Sequence, residues 1–124
     1  MFSQENVAVL IICYEPTKED IVKIKKNVSY FESSIIVWNS NKTFNIPNKK
    51  VSEIQLDQNV GQAEALNIGF QKAISMKIKL LMTLDQDSLL ISSAFNLYEL
   101  INYFNRPFIK PAGFSFQIIN DSKR

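Results

Sequence analysis

Short apolar, β-branched runs alternate along this chain with stretches whose apolar residues recur at helical spacing. Val7 to Cys13 reads Val-Ala-Val-Leu-Ile-Ile-Cys without a polar position, the pattern of a strand covered on both faces. Tyr14-Glu15-Pro16 breaks it. Thr17 then has the character of a helix N-cap, with Asp20 at the third helical position completing a weak capping box. Ile21, Ile24, Val28 and Phe31 follow as an apolar stripe, which predicts a helix ending near Phe31. Ser34 to Trp38 reads as a second buried strand. Asn39 to Lys50 is a polar loop containing Pro47, and Val51 to Leu56 is half polar, as an edge strand can be.

The second half repeats the alternation. Asp57-Gln58-Asn59-Val60-Gly61 leads into a second helix, with Ala63, Leu66, Phe70 and Ala73 marking its expected buried face. Leu80 to Leu84 is the fourth strand. Ser92 or Ser93 is expected to cap a third helix carrying Phe95, Tyr98, Ile101 and Phe104 on one side, and Arg106-Pro107 stops it. One more short strand fits within Phe108 to Ile119. Strand–helix alternation with one strand-to-strand step predicts an α/β fold: a mostly parallel sheet, order 3-2-1-4, with helices on both faces. The first and fourth strands would then be neighbours, and their carboxyl ends would share a crevice holding Tyr14, Glu15, Asp85 and Asp87, with Asn39 and Asn59 nearby.

Composition narrows the chemistry. The 124 residues suit one domain, and 46% hydrophobic with 21% charged content is ordinary for a globular protein. A net charge of +2 is too small to argue for nucleic acid. Lys23, Lys25 and Lys26 on the first helix, and Lys49-Lys50 in a loop, read as solvated faces. The chain has no histidine, so none is present to activate Cys13 as a nucleophile. Cys13, the single cysteine, can form no intrachain disulfide and reads as a buried, inert thiol. No apolar run is long enough for a membrane span, and no basic-then-apolar leader opens the sequence. Asn27-Val28-Ser29 and Asn41-Lys42-Thr43 match the glycosylation sequon, but without a secretory signal the expected compartment is the cytoplasm.

Two segments invite a ligand. Asp85 and Asp87 close the fourth apolar run, Leu80 to Ser88. Carboxylates at i and i+2 of an extended segment project to one side. Two such oxygen ligands suit Mg²⁺ or Mn²⁺, often bound together with a phosphate. The alternative is a pair of solvated turn residues. The segment Asn59-Val60-Gly61-Gln62-Ala63-Glu64-Ala65-Leu66-Asn67-Ile68-Gly69 places small residues near a helix start. There another backbone or a ligand can approach closely, and free N–H groups favour anions. Close helix–sheet packing with Asn59 as N-cap is the simpler account of this segment alone. Tyr14 and Glu15 follow the first strand directly. The ring could cover a nucleotide base and the carboxylate could accept from base or ribose, or the pair could be a turn that Pro16 fixes. Trp38 reads as core.

Cys13-Tyr14-Glu15-Pro16, the Asn59 to Gly69 segment and Leu84-Asp85-Gln86-Asp87-Ser88, in this order, resemble the nucleotide-sugar-binding half of a family-two glycosyltransferase with the GT-A fold, specifically its rhamnosyltransferase-like branch. The likeness runs from about Val7 to about Gly113. It implies a Rossmann-like nucleotide-binding half. It also implies metal-dependent transfer of a sugar from a nucleoside-diphosphate donor, dTDP-rhamnose being one such donor, to an acceptor hydroxyl in cell-surface polysaccharide synthesis, in the cytoplasm or at the inner face of the membrane. By this resemblance Asp87 binds the metal that grips the diphosphate, and Asp85 contacts ribose, metal or both. Tyr14 and Glu15 line the base pocket, and the Asn59 to Asn67 segment, with Gly61 and Ala65, packs beside the donor. Where the family carries an aspartate after its second strand, this chain has Val37-Trp38-Asn39-Ser40-Asn41; Asn39 can still hydrogen-bond a base edge, without charge.

Family members continue into an acceptor-binding half that usually supplies a catalytic aspartate or glutamate. Here Glu64 and Glu99 fall on helices and Asp121 in a polar tail, so none is a convincing base. The expectation is a donor site without its own transfer machinery: a truncated enzyme, one completed by another chain or by self-association, or a non-catalytic donor-binding module. A different α/β phosphate-handling domain using Mg²⁺ is the more distant reading, since it leaves the Asn59 to Gly69 segment without a purpose.

Overall fold

The computed structural model describes residues 3–42, 44, 46–90 and 96–105, and the backbone of 116–118. A 3-10 turn (Gln4–Asn6) leads into β1 (Val7–Cys13), followed by α1 (Lys18–Val28), β2 (Ser34–Trp38), β3 (Val51–Gln55), α2 (Gln62–Ser75), β4 (Leu80–Asp85), α3 (Leu97–Phe104) and β5 (Phe116–Ile118). The sheet order is β3-β2-β1-β4-β5. The first four strands are mutually parallel, in the predicted order 3-2-1-4, and β5 runs antiparallel beside β4. This is a doubly wound, Rossmann-like α/β sheet.

Every residue of β1 is buried, and the pleat divides them between two cores. Val7, Val9, Ile11 and Cys13 meet Ile24 and Val28 of α1, Ile36 and Trp38 of β2 and Ile101 of α3. Ala8, Leu10 and Ile12 meet Ala65 and Ala73 of α2, with Ile35, Val37 and Leu81. Helices thus cover both faces of the sheet, α1 and α3 on one and α2 on the other. Such double cover is why β1 is apolar throughout and β2 is apolar after Ser34. β3, by contrast, is only partly buried. The N–H of Leu56 donates to the carbonyl of Trp38 at 3.1 Å, which carries the ladder one residue past β3.

Three helical details differ from expectation. α1 stops at Val28, short of Phe31. The N–H groups of Ser29, Tyr30 and Phe31 donate to carbonyls three residues back, each at 3.2 Å, so a tightened turn rather than a further helical turn delivers Phe31 to the core. In α2 the fully buried residues are Ala65, Gly69 and Ala73, while Ala63 is exposed and Leu66 and Phe70 pack at the flanks. The smallest residues, at i, i+4 and i+8, sit directly on the sheet because the helix lies close to it. A Cβ on Gly69 would lie 2.6 Å from both Cδ atoms of Leu10. α3 is capped by Asn96, whose Oδ1 accepts from the N–H of Glu99 at 3.1 Å. Its inward face runs through Leu97, Ile101 and Phe104, leaving Tyr98 65% exposed. The expected caps Ser92 and Ser93, with Phe95, lie outside the described residues, as do Arg106-Pro107 and most of the Phe108 to Ile119 segment. Among the described residues, no helix is long and apolar enough to cross a membrane.

Candidate functional site at the carboxyl edge of the sheet

From β1 the chain moves outward through β2 to β3, then returns across the sheet to β4 on the other side of β1. Such a reversal opens a crevice at the carboxyl ends of the two strands that flank it, here β1 and β4. Ile12 lies opposite Asp85 in the register, so Tyr14-Glu15 and Gln86-Asp87 leave the sheet side by side.

Asp85 is the last residue of β4, and Gln86-Asp87 form a turn that the N–H of Ser88 closes on the carbonyl of Asp85 at 3.1 Å. The two carboxylates are therefore not paired as i and i+2 of one extended strand: the backbone turns between them, and strand alternation does not relate them. Both remain exposed at the edge.

Gln86 joins this turn to the β1 exit. Its Oε1 accepts from the N–H of Tyr14 at 2.8 Å, and its Nε2 donates to the carbonyl of Tyr14 at 3.1 Å and to Oδ2 of Asp20 at 3.3 Å. Asp20 is the capping-box residue of α1, accepting from the N–H of Thr17 at 2.9 Å while Oγ1 of Thr17 accepts from the N–H of Asp20 at 3.1 Å. One helical turn on, Nζ of Lys23 donates to the carbonyl of Asp87 at 3.1 Å. A further turn along, fully buried Asn27 donates to the carbonyl of Ser88 at 2.8 Å and accepts from the N–H of Leu90 at 2.9 Å. Residues 20, 23 and 27 share one helix face, and in succession they hold residues 86 to 90. Sequence reasoning missed this stripe. The available signal was polar Asp20 and Asn27 at the margins of the buried Ile24–Val28 face, where unpaired polar groups are costly.

At the β1 exit, Tyr14 is 48% exposed, and Glu15 adopts φ of +42°, a left-handed conformation uncommon for a residue with a Cβ. Lys42 lies 3.8 Å from the Glu15 carboxylate in an exposed pair. At the β2 exit, Asn39 is only 3% exposed. Its N–H donates to the carbonyl of Cys13 at 2.7 Å. Its side-chain Nδ2 donates to Oδ1 of Asn59 at 3.1 Å and to the carbonyl of Gly61 at 3.4 Å, and its Oδ1 accepts from the N–H of Val60 at 2.9 Å. Oδ1 of Asn59 also accepts from the N–H of Gly61 at 2.9 Å. The amide is thus committed to shaping the α2 entry, a task that a carboxylate, lacking donors, could not perform.

Gly61 is the N-cap of α2, at φ +89° and ψ 158°, a combination essentially reserved for glycine. No side chain caps this helix end, so its first N–H groups are left to solvent or an anion. Asn67 is exposed on α2, but Ala65 has no exposed surface and seats the helix on the sheet, where no ligand can touch it. Trp38 is core, its Nε1 donating to Oε1 of Glu53 at 2.8 Å.

The residue types at this turn bear on which ion could bind. Among the described residues, no three His, Cys, Asp or Glu side chains gather to hold an ion. Asp85 and Asp87 offer hard oxygen donors only, which fits a Mg²⁺-type ion bound by one or two carboxylates and completed by phosphate oxygens and water, rather than an all-protein cage. Comparison with protein-family models and with curated proteins finds no match for this chain.

Proposed function

We propose that this chain binds a nucleoside-diphosphate sugar and is the donor-binding part of a glycosyltransferase. The observation that carries the reading is the convergence of three separate segments on one sheet edge. A hydrogen-bonded belt runs from Asn59 and Gly61 through Asn39 and Cys13 to Tyr14, Gln86 and the Asp85–Asp87 turn. In this reading Asp85 and Asp87 hold Mg²⁺ or Mn²⁺, which supplies Lewis-acid stabilisation of the diphosphate leaving group. The exposed Tyr14 ring stacks on the base, and Glu15 accepts from base or ribose. The uncapped start of α2 lies on the same edge, where its N–H groups favour negative charge. Asn39 acts through Asn59 and Gly61, and Asn67 presents its amide beside the donor. The sugar class, dTDP-rhamnose among the candidates, and the acceptor hydroxyl follow from the family likeness alone.

A donor-binding module without turnover is the second reading. Of the acidic residues considered as a catalytic base, Glu99 lies away from the site: Asn96, which caps its helix, lines a cleft with Gln4 and Phe31 at the amino edge of the sheet. Glu64, in the first turn of α2, is exposed on the carboxyl edge. Melting the protein with nucleoside diphosphates, with and without Mn²⁺, tests donor binding, and release of free sugar from the donor then separates the two readings. Stabilisation that requires both metal and nucleotide supports the site. Its absence overturns both readings.

A further inference from the structure

The acid turn and the β1 exit are joined by one side chain. Of the residues in the turn, Gln86 sends its amide back across the crevice and contacts both main-chain polar atoms of Tyr14. The backbone N–H and C=O of Tyr14, which belong to the two peptide planes flanking it, are thereby both held by one planar amide. The same Nε2 reaches Asp20, whose carboxylate is itself held by the Thr17 N–H. The far end of the turn is anchored by Lys23 and Asn27. Movement at Asp85–Ser88 therefore has a short hydrogen-bonded route to Tyr14 and Glu15. Glu15 sits in a left-handed conformation, where a small change at the preceding peptide changes the strain it carries.

We propose that Gln86 is a positioning residue that couples occupancy of the Asp85–Asp87 turn to the placement of the Tyr14-Glu15 loop. The inference rests on the donor-site reading above and adds a regulation to it: the metal–diphosphate end of a donor prepares the base end. An amide is required because Nε2 faces two acceptors and Oε1 faces a donor. Gln86→Glu keeps the contact to the Tyr14 N–H but sets a carboxylate oxygen against the Tyr14 carbonyl and the Asp20 carboxylate. Gln86→Met keeps the length and removes every hydrogen bond.

Magnesium pyrophosphate is the probe, because it loads the metal end and carries no base. Backbone amide resonances of the full chain are followed through the titration, and a dispersed spectrum verifies that each variant is folded. In the wild-type protein, shifts are expected at Asp87 and Ser88 and also at Tyr14 and Glu15. In Gln86→Glu and Gln86→Met, shifts at Asp87 and Ser88 persist while those at Tyr14 and Glu15 are lost. An unchanged Tyr14–Glu15 response in the folded variants overturns the coupling and leaves the donor site standing. A wild-type response confined to Asp87 and Ser88 does the same. No wild-type response at Asp87 or Ser88 overturns the donor-site reading and the coupling with it.

Discussion

Asn39 and Asn59 hold the entry of α2 between them, Nδ2 of the first donating to Oδ1 of the second at 3.1 Å while the Asn39 Oδ1 takes the Val60 N–H at 2.9 Å. The first prediction follows from the direction of these bonds. Asn39→Asp, which introduces the aspartate that the resembled family carries, removes both donated bonds and sets a nearly buried carboxylate against the Asn59 and Gly61 oxygens. Losing such bonds and leaving acceptors unpaired costs about 1–3 kcal/mol. A urea unfolding curve at neutral pH should show that loss, with an unchanged m-value; a variant as stable as the wild type would show that the amide is dispensable.

Asn27 is the second test. It is fully buried, and its amide satisfies the Ser88 carbonyl and the Leu90 N–H. Asn27→Leu fills similar space but strands both backbone groups, at a cost of about 1–3 kcal/mol for each that stays dry. Hydrogen exchange at Leu90 should accelerate well beyond any global change, because its acceptor is gone.

These two asparagines mark where sequence reading stops. β1 and β2 are legible because strands covered on both faces are apolar over short spans, Ser34 at the start of β2 being the one polar residue in the two. α1 announces its start because Thr17 and Asp20 satisfy each other locally, three residues apart. The inward face of α2 is only partly legible: Ala73 is buried as expected and Leu66 and Phe70 pack beside it, but Ala63 is exposed, and Ala65 and Gly69, which carry little hydrophobic signal, are buried because they are small. The Asp85–Asp87 pair is legible in place but not in shape, since the turn depends on a hydrogen bond from Ser88. The Gln86 bridge and the stripe on α1 join residues 61 to 72 positions apart, and no local pattern encodes such pairings.

Gly69 gives a packing prediction. The new methyl of Gly69→Ala would meet the Leu10 side chain at 2.6 Å, and Leu10 is buried with little room to retreat. Overpacking costs about 1–3 kcal/mol, partly offset by about 1 kcal/mol of helix propensity. The expected outcome is a net loss of about 1 kcal/mol and a lower melting temperature, where an exposed mid-helix Gly→Ala would stabilise.

Cys13 gives a pH prediction. Burial first, then the charges of Asp20 and Glu53, raise its thiol from 9.0 to about 12. The folded state holds this proton more tightly than the unfolded state. The associated stability is full below pH 9 and is lost as pH rises from there through about 12. Wild-type stability should therefore fall more steeply than that of Cys13→Ala across this window. Iodoacetamide at pH 8 should label Cys13 only after denaturant is added.

The central claim is that Asp85 and Asp87 grip a diphosphate through a divalent cation. Calorimetric titration of uridine and thymidine diphosphates into the wild-type chain and into Asp85→Asn/Asp87→Asn, each with Mn²⁺ and with excess chelator, tests it most directly. At least one nucleotide should bind the wild-type chain with Mn²⁺, and that binding should be lost on chelation or in the double variant. Binding that is indifferent to the metal and to both aspartates, or no binding of either nucleotide, would contradict the claim.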